Sequence, residues 1–340
     1  MDCAPNRYDR RRALVSGAAA LLAPAILANA ARSQEAPLSV GIVPAYSFGL
    51  YWLVQDQNFA PDVAMEFTVF PDGPSAIEAM IGGDVAVVTA GSVPPLSAAV
   101  RGASDLRAVS ICADASGLFT IIGAPDTATL ADLEGRRVAV TAASNFEFFL
   151  DQMLTQNGLS DMPLERVNLN PLDGQSSFVA GAVDAVVPLA TSRELIFEAR
   201  PGAQMIIDGA DLAEADRPRI LDLLLTTQAT LDARADAVTD IVRAFHADAV
   251  DMVRRDPDAV VERMLAWLTG IGRAGVMADA VAPILAGYSF FDSDAVRAAF
   301  ATGTFRDALQ MQSEFLEAAG RLQSSPNLDA LISDEIINRI

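Results

Sequence analysis

The sequence predicts an α/β protein with largely parallel sheets, arranged as two similarly built lobes. Three observations lead there. From Leu38 onward, short apolar and β-branched runs alternate with stretches of helical period, the pattern of stacked βα units. The chain has 340 residues, enough for two domains, yet no low-complexity linker divides it. Finally, Ile81-Gly82-Gly83-Asp84-Val85-Ala86-Val87-Val88 is echoed by Ala180-Gly181-Ala182-Val183-Asp184-Ala185-Val186-Val187. Each copy is a helix end, a glycine, an aspartate and a short buried strand.

The elements follow in order. Leu38 to Val43 reads as the first strand, ended by Pro44. Pro71-Asp72-Gly73-Pro74 is a turn that opens a helix, with Pro74 where its missing N–H costs nothing. Ile77, Met80 and Ile81 share a face of that helix, and Gly82-Gly83 ends it. Val85 to Val88 is apolar throughout, as in a strand buried on both faces. Gly91-Ser92 and Pro94-Pro95 then open a short helix towards Val100. Leu130 to Gly135 is a helical turn closed by glycine, and Arg137 to Thr141 is a strand. Ser144-Asn145-Phe146-Glu147 has capping-box spacing. Phe146, Phe149, Leu150, Met153 and Leu154 follow at i, i+3, i+4, i+7 and i+8, and Asn157-Gly158 terminates the helix. After the apolar stretch Leu221 to Thr230 the pattern is helical to the end. Ile241, Phe245, Ala249 and Met252 form one stripe of a helix that stops at Asp256-Pro257, and later helices carry Trp267, Phe300, Phe315 and Leu316.

Residues 1–30 read as an export signal rather than as part of the fold. Arg7, Arg10, Arg11 and Arg12 precede an apolar run from Ala13 to Ala30, where small residues at Ala28 and Ala30 offer a cleavage site. Arg10-Arg11-Arg12 followed by Ala13-Leu14 resembles a twin-arginine signal. Cleavage would deliver the rest to the periplasm. The run barely has the length of an uncleaved anchor.

Twenty-four basic residues against forty-four acids give a net charge of −20. An excess of this size argues against nucleic acid or an anionic membrane as partner. Every basic residue is arginine, so no lysine can form a Schiff base. Cys3 leaves with the signal, and Cys112 alone makes no intramolecular disulfide. The single histidine, His246, falls in the Ile241 to Met252 helix and reads as a partly exposed surface residue. No Cys/His metal spacing and no glycine-rich phosphate loop occurs. No cofactor is expected.

Several segments carry a family resemblance. They are Phe70-Pro71-Asp72-Gly73 leading into Ala76-Ile77-Glu78-Ala79, Gly82 to Gly91, Leu130 to Val140, Gly181 to Val187, and Thr226-Thr227-Gln228-Ala229. In this order and spacing the chain resembles the substrate-binding proteins of nitrate, sulfonate and taurine importers and the related binders of thiamine pyrimidine precursors. The resemblance implies a periplasmic-binding-protein fold of type II, with two crossing strands and a ligand cleft between lobes. Lobe I would comprise residues 38–126 and 222–340, and lobe II residues 127–221. It also implies a monomeric receptor handing a small molecule to the permease and ATPase of an ABC importer. Two alternatives remain open: a binder of a pyrimidine or other aromatic molecule, and an enzyme on the same fold related to thiamine-pyrimidine or menaquinone-pathway synthases. Many sulfonate and taurine binders carry an aromatic-aspartate-proline stretch where this chain has Val187-Pro188-Leu189-Ala190. That departure weakens taurine or an alkanesulfonate as the specific guest.

Open α/β sheets bind ligands beyond the carboxyl ends of their strands, and helix N-termini favour anions there. The cleft residues expected on that rule are Tyr46 and Ser47 after the first strand, and Gly91 and Ser92 after Val85 to Ala90. Ser144, Asn145 and Phe146 open the helix of lobe II. Leu189, Ala190, Thr191 and Arg193 follow Val183 to Val187, and Thr226 sits on the returning crossover. Ser92 and Ser144 serve equally well as helix caps, and Glu147 as capping-box partner. Tyr46 could stack on a ring or cover the lobe edge. Arg193 suits a carboxylate or sulfonate, or a solvated pairing with Glu194 or Glu198.

Overall fold

The described residues open with a parallel βαβ unit: β1 (Leu38–Ile42), α1 (Tyr46–Asp56) and β2 (Met65–Val69). A computed structural model describes residues 36–273 and 276–340; the predicted export signal lies outside them. The next helix, α2 (Gly73–Gly82), starts where the sequence placed it. Asp72 caps it by accepting from the Ser75 amide at 2.9 Å, and Gly83 closes it at φ 87°, a left-handed position that favours glycine. β3 (Val87–Gly91), α3 (Val93–Val100) and β4 (Leu106–Asp114) complete the first run.

The chain then enters a second sheet through β5 (Thr120–Gly123) and β6 (Arg137–Val140). The helix α4 (Asn145–Gln156) has the predicted cap. Ser144 Oγ accepts from the Phe146 and Glu147 amides, and Glu147 reaches back to accept from the Ala143 amide at 2.8 Å. β7 (Glu165–Asn168), α5 (Pro171–Val179), β8 (Ala185–Val186), α6 (Arg193–Ala199) and β9 (Gln204–Asp208) follow. β10 (Leu221–Thr227) returns to the first sheet. The rest is mainly helical: α7 (Gln228–Ala244), a π-helical turn at Phe245–Ala249, α8 (Val250–Arg255), α9 (Pro257–Gly270) and α10 (Ala278–Gly287). The short β11 (Ser289–Phe290), α11 (Ser293–Ala301), α12 (Thr304–Ala318) and α13 (Leu328–Leu331) close the chain.

The two sheets have orders β11-β4-β10-β3-β1-β2 and β7-β6-β8-β5-β9. Leaving β11 aside, they are the same sheet built twice. β1 pairs in parallel with β2 and β3, as β6 does with β7 and β8. β10 pairs antiparallel with β3 and β4, as β5 does with β8 and β9. The echoed glycine-aspartate-strand segments are β3 and β8, which hold the same place in the two sheets. The sheets are mixed rather than largely parallel. The reason is the exchange of one strand: β5 and β10 each enter from the other sheet without a covering helix, and so run against their neighbours. The first passage between sheets falls at residues 115–119, so β5 pairs in the second sheet although it precedes the expected boundary at residue 126.

His246 is buried, 1 % exposed, rather than on the surface. Its Nδ1 lies 2.7 Å from the Phe291 carbonyl, so Nδ1 carries the proton, and Nε2 accepts from Ser110 Oγ at 2.6 Å. Both ring nitrogens are satisfied by the neutral form. Burial drives the imidazole down to about 4.

Candidate functional site

A cavity of about 70 Å³ opens between the two sheets. A water needs roughly 10–15 Å³ of such space, so the cavity suits a guest of only a few heavy atoms, or one whose ends displace wall side chains. Its walls come from strand ends, as the carboxyl-end rule requires. The first sheet contributes Val43, Ala45 and Phe48 after β1, Gly73 after β2, Gly91 and Pro94 at the end of β3, and Ala115 after β4. The second contributes Ser144, Asn145 and Phe146 after β6, and Pro188, Leu189, Ala190 and Thr191 after β8. Leu118, Phe119, Asp222 and Tyr288 complete the lining. It is apolar and aromatic with a handful of polar groups, the usual composition of a small-molecule site.

Of the twelve residues singled out from sequence, Gly91, Ser144, Asn145, Phe146, Leu189, Ala190 and Thr191 reach this wall. Ser144 both caps α4 and lines the cavity; its hydroxyl also donates to the Thr141 carbonyl at 2.6 Å. Asn145 spans the gap between sheets. Its Oδ1 accepts from the Val93 amide at 2.9 Å, and its side chain lies so close to Gly91 that a Cβ there would sit 1.9 Å from Nδ2. Gly91 is therefore needed for close approach rather than for an unusual backbone angle.

The other five do not line the cavity. Tyr46 and Ser47 stand in the first turn of α1 but face inward, both fully buried. Ser47 Oγ donates to Asp222 Oδ2 at 2.5 Å. Ser92 makes no cap bond; it accepts from the Leu221 amide at 3.2 Å and from Gln312 Nε2 at 2.9 Å, pinning the returning strand to α12. Thr226 is at the wrong end of β10. That strand runs antiparallel to β3, with Asp222 opposite Gly91 and Thr226 opposite Val87, so it meets the cleft at its beginning. Thr226 donates instead to the Ala86 carbonyl at 2.8 Å. Arg193 turns to Asp208 at 2.7 Å, not to Glu194, Glu198 or the cleft.

Three groups went unnoticed in the sequence. Asp222 is the only formally charged residue among the described residues lining the cavity. Burial pushes its carboxyl up to about 7, opposed by the Ser47 hydrogen bond and reinforced by Asp114. Tyr288 lies beside it, and burial together with the Asp222 charge raises that phenol. Arg273 stands behind the wall, donating to Thr191 Oγ1 at 3.0 Å and Ser192 Oγ at 3.2 Å. It has no carboxylate partner among the described residues. The nearby Tyr46 hydroxyl is buried without a hydrogen-bond partner and is pushed up to about 12 by burial, with Arg273 opposing.

A profile of the family described as NMT1/THI5 like matches residues 68–260. This chain belongs to the NMT1/THI5-like family. Among its relatives, the putative aliphatic sulfonates-binding protein of Escherichia coli (strain K12) is 29% identical over 202 residues. That match takes in 57% of this chain and 61% of the relative, so the NMT1/THI5-like chain spans under two thirds of that protein's length. The alkanesulfonate-binding protein SsuA from Xanthomonas axonopodis pv. citri, bound to MOPS, superimposes with TM-score 0.71 at 22% identity, over 88% of this chain and 99% of that one. The desulfurization enzyme DSZB has the same fold at TM-score 0.56 and 19% identity, over 88% and 98%. The architecture of this family member is thus the two-lobe periplasmic-binding-protein fold. Among the described residues no group of three or more His, Cys, Asp or Glu side chains could hold a metal ion.

Proposed function

We propose that this chain is the periplasmic receptor of an ABC importer, closing two lobes over a small organic molecule and delivering it to a permease and ATPase. The observation that carries the reading is the cleft itself: two copies of one sheet face each other at their ligand-binding edges, and each supplies wall residues. The sulfonate-binding relatives support the same role. A receptor also suits the chemistry of the cleft better than an enzyme does. Ser144 spends its hydroxyl on α4 and Thr141, Cys112 is buried with its thiol pushed up, and His246 is engaged elsewhere as a neutral ring. None is an activated nucleophile.

An acidic head group fits this reading, held at the wall formed by Thr191 with Arg273 behind it. Arg273→Gln removes that charge and the bonds that hold Thr191 and Ser192 at the wall, and a hydrogen bond to a charged group is worth about 1.5–3 kcal/mol. The variant is expected to bind an acidic guest roughly 10- to 100-fold more weakly by calorimetry, whereas Arg193→Gln, which breaks only the Asp208 pair, should bind as the wild type does. Equal losses in the two variants would remove Arg273 from the site. The receptor reading itself is tested by thermal shift of the purified protein against sulfonates, carboxylates, aromatic acids and pyrimidines. A guest at a hundred times its dissociation constant should stabilise the fold by about 2.7 kcal/mol. Turnover of any member without such stabilisation would favour an enzyme.

A further inference from the structure

We propose that Asp222 selects for guests carrying a nitrogen donor, an ammonium or a protonated heterocycle, and selects against acids that lack one. The inference rests on the receptor reading and deepens it. Asp222 stands at the start of β10, opposite Gly91, where the returning strand meets the cleft. It is 6 % exposed and lines the cavity.

The groups that face it do not neutralise it. From α1 comes the Ser47 hydroxyl, one donor to Oδ2. From β4 come Cys112, a buried thiol, and Asp114, a second acid whose own cation, Arg219, is 3.2 Å from it. Ahead of β11 comes Tyr288; β3 offers only Gly91. A buried carboxylate without a cation is expensive, and here the missing countercharge can come only from the cavity. An apolar wall with one unpaired acid suits a guest with one cationic nitrogen on an apolar body. A sulfonate or carboxylate without nitrogen would face Asp222 as a like charge unless the acid took up a proton.

Matched pairs decide it: 2-aminoethanesulfonate against ethanesulfonate, and β-alanine against propionate, titrated calorimetrically into the purified protein at pH 6 and pH 8. The amine-bearing member of a pair is expected to bind at least tenfold more tightly at pH 8. Its affinity should rise about tenfold from pH 6 to pH 8, as the ionised fraction of a carboxyl titrating near 7 rises from about one tenth to nine tenths. Asp222→Asn keeps the shape and an acceptor for Ser47. It should erase both the preference and the pH dependence, with the fold checked by circular dichroism. Equal binding within pairs, or tighter binding of the plain acid at low pH, overturns the selection and leaves the receptor standing. Failure of every pair in the wild type, with turnover of one of them, overturns both.

Discussion

Gly91→Ala is expected to leave both sheets folded and yet to cost most of the ligand affinity. The added methyl would lie 1.9 Å from Asn145 Nδ2 and 2.4 Å from its Cγ, distances no relaxation of a few tenths of an ångström can absorb. Asn145 cannot simply swing away, because its Oδ1 holds the Val93 amide at the start of α3. Moving it leaves a buried N–H unpaired, at about 1–3 kcal/mol, and forces Asn145 off its rotamer for about 0.5–1.5 more. The penalty falls on the closed arrangement, since Gly91 and Asn145 belong to opposite sheets. Affinity is reduced by the fraction of molecules able to close, so a cost of about 2–4 kcal/mol corresponds to a loss of roughly 30- to 1,000-fold. Small-angle scattering should show a larger particle, with the far-ultraviolet spectrum unchanged. In the double variant Gly91→Ala/Asn145→Ala the clash is gone, and affinity should recover to that of Asn145→Ala alone. Additive losses would mean that the two residues do not meet.

What could be read from sequence was what local physics controls. α4 was legible to the residue because a cap, a back-reaching glutamate and an i, i+3, i+4 stripe all agree. The duplication was legible because each lobe needs the same glycine-terminated helix before its central strand. Strand direction was not. Thr226 falls at the cleft only if β10 runs like its neighbours, and the exchange of strands between sheets puts Asp222 there instead. A lone aspartate in the apolar run Leu221-Asp222-Leu223-Leu224-Leu225 was the available signal. Arg273 lies in a loop with no periodicity to give it a direction. His246 was misplaced for a different reason. The stripe through Ile241, Phe245 and Ala249 is only one edge of the buried face: Val242 and Val250, four residues to either side of His246, are buried as well. That wider face carries His246 inward onto Ser110.

His246 and Asp222 are also expected to oppose each other in the pH dependence of stability. The histidine titrates near 4 in the fold and near 6.5 when unfolded. Between those values the unfolded chain holds the extra proton, so stability rises with pH, by about 3 kcal/mol over the window. Asp222 does the reverse. It titrates near 7 in the fold against 3.8 unfolded, so the folded chain holds the extra proton and stability falls as pH rises through that range, by up to about 4 kcal/mol. From pH 4 to 6.5 the two slopes nearly cancel. Asp222→Asn removes the falling one. Urea melts of the variant should therefore steepen, gaining about 3 kcal/mol relative to the wild type between pH 4 and 6.5, and the variant should be the more stable protein at pH 8. His246→Gln should leave the falling slope exposed, on top of the loss of its bonds to Ser110 and Phe291. If Asp222→Asn instead parallels the wild type at every pH, the carboxyl titrates in the fold much as it does in the unfolded chain. In that case it does not stand unpaired at the cleft.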